Sequence, residues 1–159
     1  MTDGISVLGN KTRTLEYEAD QISGVIQLSK TLGQRDVKSN DFEVGNNGNV
    51  YLTINLPIEV QLHSIGKFLS GSYTIQLEYV NDYPLSPPNV YILNPKLNPT
   101  ETPHMYIDGK VCYCNPDVDW FSNYTSYEVA QMVKSWLHAY TIWSNTGIWD
   151  WPEHEEPLP

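Results

Sequence analysis

The chain has 159 residues, 40% of them apolar and 18% charged, the proportions of a folded protein with enough length to bury a core rather than of a disordered one. Lys and Arg number 9 against 19 Asp and Glu, a formal charge of −10. This argues against nucleic-acid binding, which rests on neutralising phosphates, and suits steering toward a basic protein partner or simple solubility. Met1–Ile5 has no basic segment leading into an apolar run, and no window is apolar for the length of a membrane span. A soluble cytoplasmic protein is expected, with no membrane association and a single domain over 1–159.

Taken in order, residues 1–12 carry Gly4, Gly9 and Asn10 and little pattern. From Leu15 a helical period runs through Ala19, Ile22, Val25 and Ile26, with Leu32 as a candidate extension. Gly24 costs this helix on the order of 1 kcal/mol relative to Ala. Residues 33–49 are polar and turn-rich. Val50, Leu52, Ile54 and Leu56 then alternate with Tyr51, Thr53 and Asn55, the mark of a half-buried strand. Pro57 cannot donate to a ladder, so Ile58, Val60 and Leu62 are expected beyond an edge or bend. Gly66 and Ser70-Gly71 read as a turn. Tyr73, Ile75, Leu77 and Tyr79 define a second clear strand, and Val90–Leu93 a short one after the break at Tyr83–Pro88. Short connections imply an antiparallel meander. Farther on, Thr125 and Glu128 form a capping box ahead of a helix whose face is Val129, Met132, Val133, Trp136, Leu137 and Tyr140. The pattern is α+β, with a core of about 12–142 and an aromatic, acidic tail over 143–159 expected to lack regular structure.

Between the last strand and the second helix, Pro103–Cys114 holds both cysteines, Cys112 and Cys114, with His104, Tyr106 and the Asp108-Gly109 turn. Asp-Gly favours a tight reversal, so the His104 limb is expected to fold back on the Cys112 limb. A thiol on such a loop reads as a nucleophile; the common alternative for a free cysteine is burial as a small hydrophobe. Structural zinc draws on Cys-x₂₋₄-Cys pairs, and one Cys-x-Cys with distant His138 or His154 departs from that pattern, so no metal is expected. No glycine-rich phosphate loop precedes a helix, and no cofactor is implied.

These residues carry a family resemblance. Tyr83-Pro84-Leu85-Ser86-Pro87-Pro88 resembles the Tyr-Pro-x-x-Pro-Pro element of ubiquitin-conjugating enzymes. His104 stands where that family begins its His-Pro-Asn stretch, and Gly109-Lys110-Val111-Cys112 where it carries the active-site cysteine. Trp120 followed by Thr125-Ser126 and a helix is similar as well. Within the superfamily, His104-x-Tyr106-x-Asp108-Gly109-x-Val111-Cys112, with Trp136, Trp143 and Gly147-Ile148-Trp149, resembles bacterial conjugating-enzyme-like proteins of cyclic-oligonucleotide antiphage (CBASS) operons. The segment between the last strand and His104 is longer than is usual in the family, the one between His104 and Cys112 is shorter, and two further departures stand out. Tyr106 replaces the family's Asn, and Glu16, Glu18 and Asp20 occupy opening turns of the first helix where the eukaryotic family presents basic residues to its activating enzyme.

The resemblance implies a ubiquitin-conjugating-like fold: N-terminal helix, four-stranded antiparallel meander, long active-site loop and C-terminal helix. It implies a thioester between Cys112 and the C-terminus of a partner, a nucleotidyltransferase related to cyclic GMP-AMP synthase, with an activating enzyme as a further candidate partner. His104 would orient the loop or modulate the thiolate. Tyr106 would donate to an oxyanion, or else form an aromatic lid packed on Trp120. Lys96 and Lys110 are candidate isopeptide acceptors, and Cys114 is a second thiol or a packing residue. Asn115 and Asp117 would replace the missing polar function or cap the loop. The alternative is a non-catalytic module of the same fold that docks the partner without covalent chemistry.

Overall fold

The computed structural model describes residues 8, 13–27, 37–62 and 66–150. Among them the elements are α1 (Leu15–Gln27), a 3₁₀ turn (Ser39–Asp41), β1 (Glu43–Val44), β2 (Val50–Leu62), β3 (Lys67–Tyr79), β4 (Asn89–Asn94) and α2 (Ser126–Thr146). The strands form one antiparallel sheet in the order β1-β2-β3-β4. The candidate helical extension to Leu32 lies outside the described residues, as does the tail beyond Asp150.

Period-two alternation builds the inner face of the sheet. Leu52, Ile54, Leu56, Ile58 and Val60 of β2 are buried beside Tyr73, Ile75, Leu77 and Tyr79 of β3. Helix α2 lies over β2 and β3, and α1 packs against α2 through the buried side chains of Leu15, Ala19, Ile22 and Val25. Two layers thus enclose one apolar cluster.

Three expectations need correction. The polar stretch before Val50 contains a strand, β1, which pairs Glu43 with Tyr51 and Val44 with Val50. Pro57 does not bend β2, which continues to Leu62 in unbroken register with β3, Pro57 opposite Ser72. A proline is accommodated because β1 covers only the start of β2, so at Pro57 the strand is flanked on one side among the described residues. Ser70-Gly71 is likewise no turn but part of β3, opposite Glu59 and Ile58. Glycine is required there because a Cβ at Gly71 would sit 2.9 Å from the Tyr73 ring, which is fixed by a 2.7 Å bond between its hydroxyl and Thr141 Oγ1.

Helix α2 begins as expected. Thr125 Oγ1 accepts from Tyr127 N at 3.0 Å, and Thr125 N donates to Glu128 Oε1 at 2.7 Å. It ends later than expected, running through Trp143 to Thr146 before Gly147 closes it in the left-handed region (φ 77°).

Glu18 also departs from its surface reading. It is fully buried. Its Oε2 takes Arg13 Nη1 at 2.7 Å, and its Oε1 takes Ser126 N at 2.8 Å and Ser126 Oγ at 2.6 Å. With the Ser126 proton committed to Glu18, the Tyr79 hydroxyl donates to Ser126 Oγ at 2.6 Å. Arg13 also donates to the carbonyls of Tyr124 (2.9 Å) and Ser122 (3.2 Å), which pins the segment before α2 onto the start of α1.

On the outer face, Glu78 is buried beneath its own donors. Asn49 (2.8 Å), Asn47 (3.4 Å) and the Tyr51 hydroxyl (2.9 Å) bond Oε2; Asn89 (3.2 Å) and the Tyr91 hydroxyl (3.3 Å) bond Oε1. Burial pushes its pKa up, but these hydrogen bonds outweigh burial and hold the carboxyl below the usual carboxylate range. The charged form therefore stabilises the fold above the unfolded value of about 4.3, and this contribution is lost as pH falls through the lower folded value. Glu78→Gln is expected to cost about 1–3 kcal/mol at pH 7. The gap to the parent protein should narrow below about pH 4, as read from urea melts at stepped pH. A constant gap down to pH 2 would refute it.

Candidate active site

The Asp108-Gly109 turn does fold one limb onto the other. Gly109 takes φ 96°, its N–H bonds the Tyr106 carbonyl at 2.9 Å, and Tyr106 N bonds the Lys110 carbonyl at 2.8 Å. Asp108 Oδ1 accepts from Lys110 N at 3.1 Å, the self-capping that makes Asp suit this turn. Met105 bridges Val111, and Cys112 N donates to the His104 carbonyl at 2.9 Å. The hairpin is held to the sheet by Val111 N on the Val90 carbonyl at 2.9 Å.

Cys112 ends the return limb with 1% of its surface exposed. Tyr106, on the opposite limb of the hairpin and 37% exposed, lies near enough to influence the Cys112 sulfur. Burial pushes the thiol pKa above its ordinary value; Tyr106 works against this, and the nearby Asp119 carboxylate adds to the rise. At neutral pH the sulfur is therefore a protonated thiol near a phenol. Cys114 is more strongly affected, pushed up to about 12 by burial, with Asp119 and Cys112 contributing. Both sulfurs act on Tyr106, whose own pKa is raised first by burial and then by Cys112.

The other expected residues fall as follows. His104 lies in the left-handed region (φ 55°), and its carbonyl accepts from Trp136 Nε1 at 2.9 Å as well as from Cys112 N. Lys110 Nζ sits 5.5 Å from the Tyr106 ring centroid and 3.5 Å from Asp108 Oδ2. Lys96 instead lines a groove of about 390 Å³ on the outer sheet face with Glu78, Tyr91, Met105 and Gly109, behind the hairpin. The lid of Tyr106 on Trp120 is not formed. Trp120 packs on Tyr83 and Tyr124 and donates Nε1–H to the Pro84 carbonyl at 2.8 Å, tying the segment after the cysteines to the Tyr83-Pro84 turn. Asn115 caps its loop, accepting from Asp117 N at 3.0 Å, and Asp117 is exposed at that turn.

Sequence reasoning passed over Asp119. Its Oδ2 accepts from Asn115 N at 2.9 Å, and its charge reaches both thiols. The run Asn115-Pro116-Asp117-Val118-Asp119 offered two acids, and only the folded loop distinguishes the one turned inward. Among the described residues no group of three or more His, Cys, Asp or Glu is arranged to hold a metal ion. No helix among them is long and apolar enough to cross a membrane. A cavity of about 130 Å³ lined by Pro88, Tyr106, Lys110, Tyr113, Cys114 and Pro116 opens beside the hairpin.

The structure is that of an α+β protein with a buried cysteine, Cys112, on a hairpin docked to the edge strand of a four-stranded sheet. The chain belongs to the Type II CBASS E2 protein family, whose model matches residues 50–157. That membership makes it an E2-like protein of CBASS systems. A search of curated protein sequences finds no match to the chain.

Proposed function

We propose that the protein is an acyl carrier and transferase: Cys112 takes the C-terminal acyl group of a partner protein as a thioester and passes it to an amine. The single observation carrying this reading is the placement of Cys112 on the return limb of the His104–Cys112 hairpin, its N–H on the His104 carbonyl at 2.9 Å, in an E2-family chain. The partner is a nucleotidyltransferase related to cyclic GMP-AMP synthase, and its modification tunes second-messenger synthesis in antiphage defence.

A free carboxylate does not yield a thioester with a thiol, because it lacks a leaving group. The acyl group must arrive activated, as a thioester on an ATP-dependent activating enzyme. Cys112 loses its proton and attacks the carbonyl carbon; the new C–S bond forms as the old one breaks, and the departing thiolate takes up a proton. In the second step a neutral amine attacks the same carbon, the C–N bond forms and the C–S bond breaks, the Cys112 sulfur leaves as thiolate, and the proton lost from the nitrogen returns to that thiolate or to water. Both steps pass through an oxyanion that a phenol O–H can stabilise. Tyr106 has that donor beside the sulfur. Lys110, next to Tyr106, is the acceptor amine that the geometry favours over Lys96. The small cavity beside the hairpin suits the end of a peptide rather than a nucleotide.

The burial of Cys112 favours a second reading, in which the fold only docks its partner. One experiment separates them: intact mass of the protein co-expressed with the nucleotidyltransferase of its operon, with and without reductant and with alkaline hydroxylamine. An adduct cleaved by hydroxylamine is a thioester; one that resists both hydroxylamine and a thiol reductant is an isopeptide bond. Co-purification with no adduct makes the protein a docking module.

Tyr106→Phe keeps the ring and removes the donor. Transfer is expected to fall roughly 100- to 1000-fold. The pH profile of Cys112 alkylation should move to higher pH, because the hydroxyl that partly offsets burial is gone. Unchanged transfer in this variant would remove Tyr106 from the mechanism.

A further inference from the structure

The C-terminal end of α2 returns to the hairpin. Gly147 N bonds the Trp143 carbonyl at 2.7 Å and turns the chain. Trp149 then lies edge-on to Trp136, with ring centroids 5.4 Å apart, and against the His104 imidazole at 5.0 Å. His104 is the only non-glycine residue at positive φ among those described. Such a conformation costs about 1–3 kcal/mol and persists only where its surroundings impose it. The surroundings here are identifiable. The Trp136 indole N–H holds the His104 carbonyl from the α2 side, the Cys112 N–H holds the same carbonyl from the hairpin side, and Trp149 covers the ring. The His104 carbonyl is therefore where the helix and the thiol-bearing strand meet.

We propose that Trp149 is a positioning residue for Cys112. It presses His104 into its left-handed conformation, and through the His104 carbonyl it fixes the Cys112 backbone so that the sulfur sits near the Tyr106 hydroxyl. The inference deepens, and rests on, the reading of Cys112 as acyl carrier. It makes the segment after α2 part of the catalytic apparatus rather than a trailing end. Cys114 provides an internal comparison. It follows Tyr113, whose hydroxyl anchors to the Pro88 carbonyl at 2.6 Å, and has no bond to the His104 carbonyl.

The test is competitive alkylation of the full chain with iodoacetamide at pH 8, quantifying Cys112 and Cys114 separately by mass spectrometry, alongside single-turnover transfer. Trp149→Ala should raise the Cys112-to-Cys114 labelling ratio about ten-fold, as the strained loop loosens, while transfer falls. Trp149→Phe should return both toward the parent values. Trp149→Leu keeps bulk without the indole, is expected to give an intermediate ratio, and serves if the alanine protein does not fold. Val25→Ala, a cavity in the buried α1 face, controls for general destabilisation and should leave the ratio unchanged. An unchanged ratio in the Trp149 variants, or an equal rise in Val25→Ala, overturns the proposal. Full transfer by Cys112→Ser would overturn the nucleophile reading instead, and would do so independently of the labelling ratio.

Discussion

Cys112→Ser, co-expressed with the nucleotidyltransferase proposed as its partner, should yield no hydroxylamine-sensitive adduct, whereas Cys114→Ser should yield the parent amount. The two cysteines share a loop, a burial class and a neighbouring carboxylate, yet differ in what matters for acyl transfer. Burial pushes both thiols up, but at Cys112 the nearby Tyr106 partly offsets the rise, while Cys114 is driven up to about 12. A thiol that far above neutrality supplies almost no thiolate at pH 7, and thioester exchange runs best when the attacking pKa lies near ambient pH. Serine at 112 keeps the volume and the hairpin but is a far weaker nucleophile without a base. An oxygen ester, stable to mild hydroxylamine, is the most such a variant can accumulate. Equal adduct from parent and Cys112→Ser, or loss only with Cys114→Ser, would move the chemistry to the other sulfur or off the thiols altogether.

Glu18→Ala is expected to cost about 3–5 kcal/mol, the usual result of removing one partner from a buried ion pair. At this chain length that lowers the melting temperature by roughly 6–20 °C. The substitution strands the partly buried Arg13 guanidinium and leaves the Ser126 N–H and hydroxyl at the α2 N-terminus without their acceptor. Glu18→Gln keeps one acceptor oxygen for Ser126 and should cost less. Activity should suffer along with stability, because Arg13 also ties down Ser122 and Tyr124, the far end of the loop that leaves Cys114. Calorimetry checks this directly. A loss below 1 kcal/mol in Glu18→Ala would mean that the network is not what joins α1 to α2.

The sequence was most informative where one local rule settled the structure. Alternation located the clear parts of β2 and β3, the Thr125–Glu128 box located the start of α2, and Asp108-Gly109 located the hairpin that carries Cys112. It was least informative where the deciding partner was distant. Glu18 reads as a surface acid on an amphipathic helix, and nothing nearby announces that Ser126 accepts its burial. β1 has two residues, too few to show a period. Pro57 looks like a strand breaker until the strand is known to be flanked on one side there. Among the candidate residues, the folding of the Tyr106 limb back on the Cys112 limb was readable from the Asp108-Gly109 turn, but the near-complete burial of Cys112 was not, and the docking of Trp149 on His104 depended on where α2 ends.

The closed seat of Cys112 bears on how the protein endures between encounters. Peroxides and cellular electrophiles consume cysteines in proportion to their thiolate character and accessibility, and overoxidation to a sulfinic acid is not readily reversed. A protonated sulfur with 1% of its surface exposed is a poor target on both counts. If Cys112 is the acyl carrier proposed above, a protein held in readiness for infection can thus keep that sulfur intact for long idle periods.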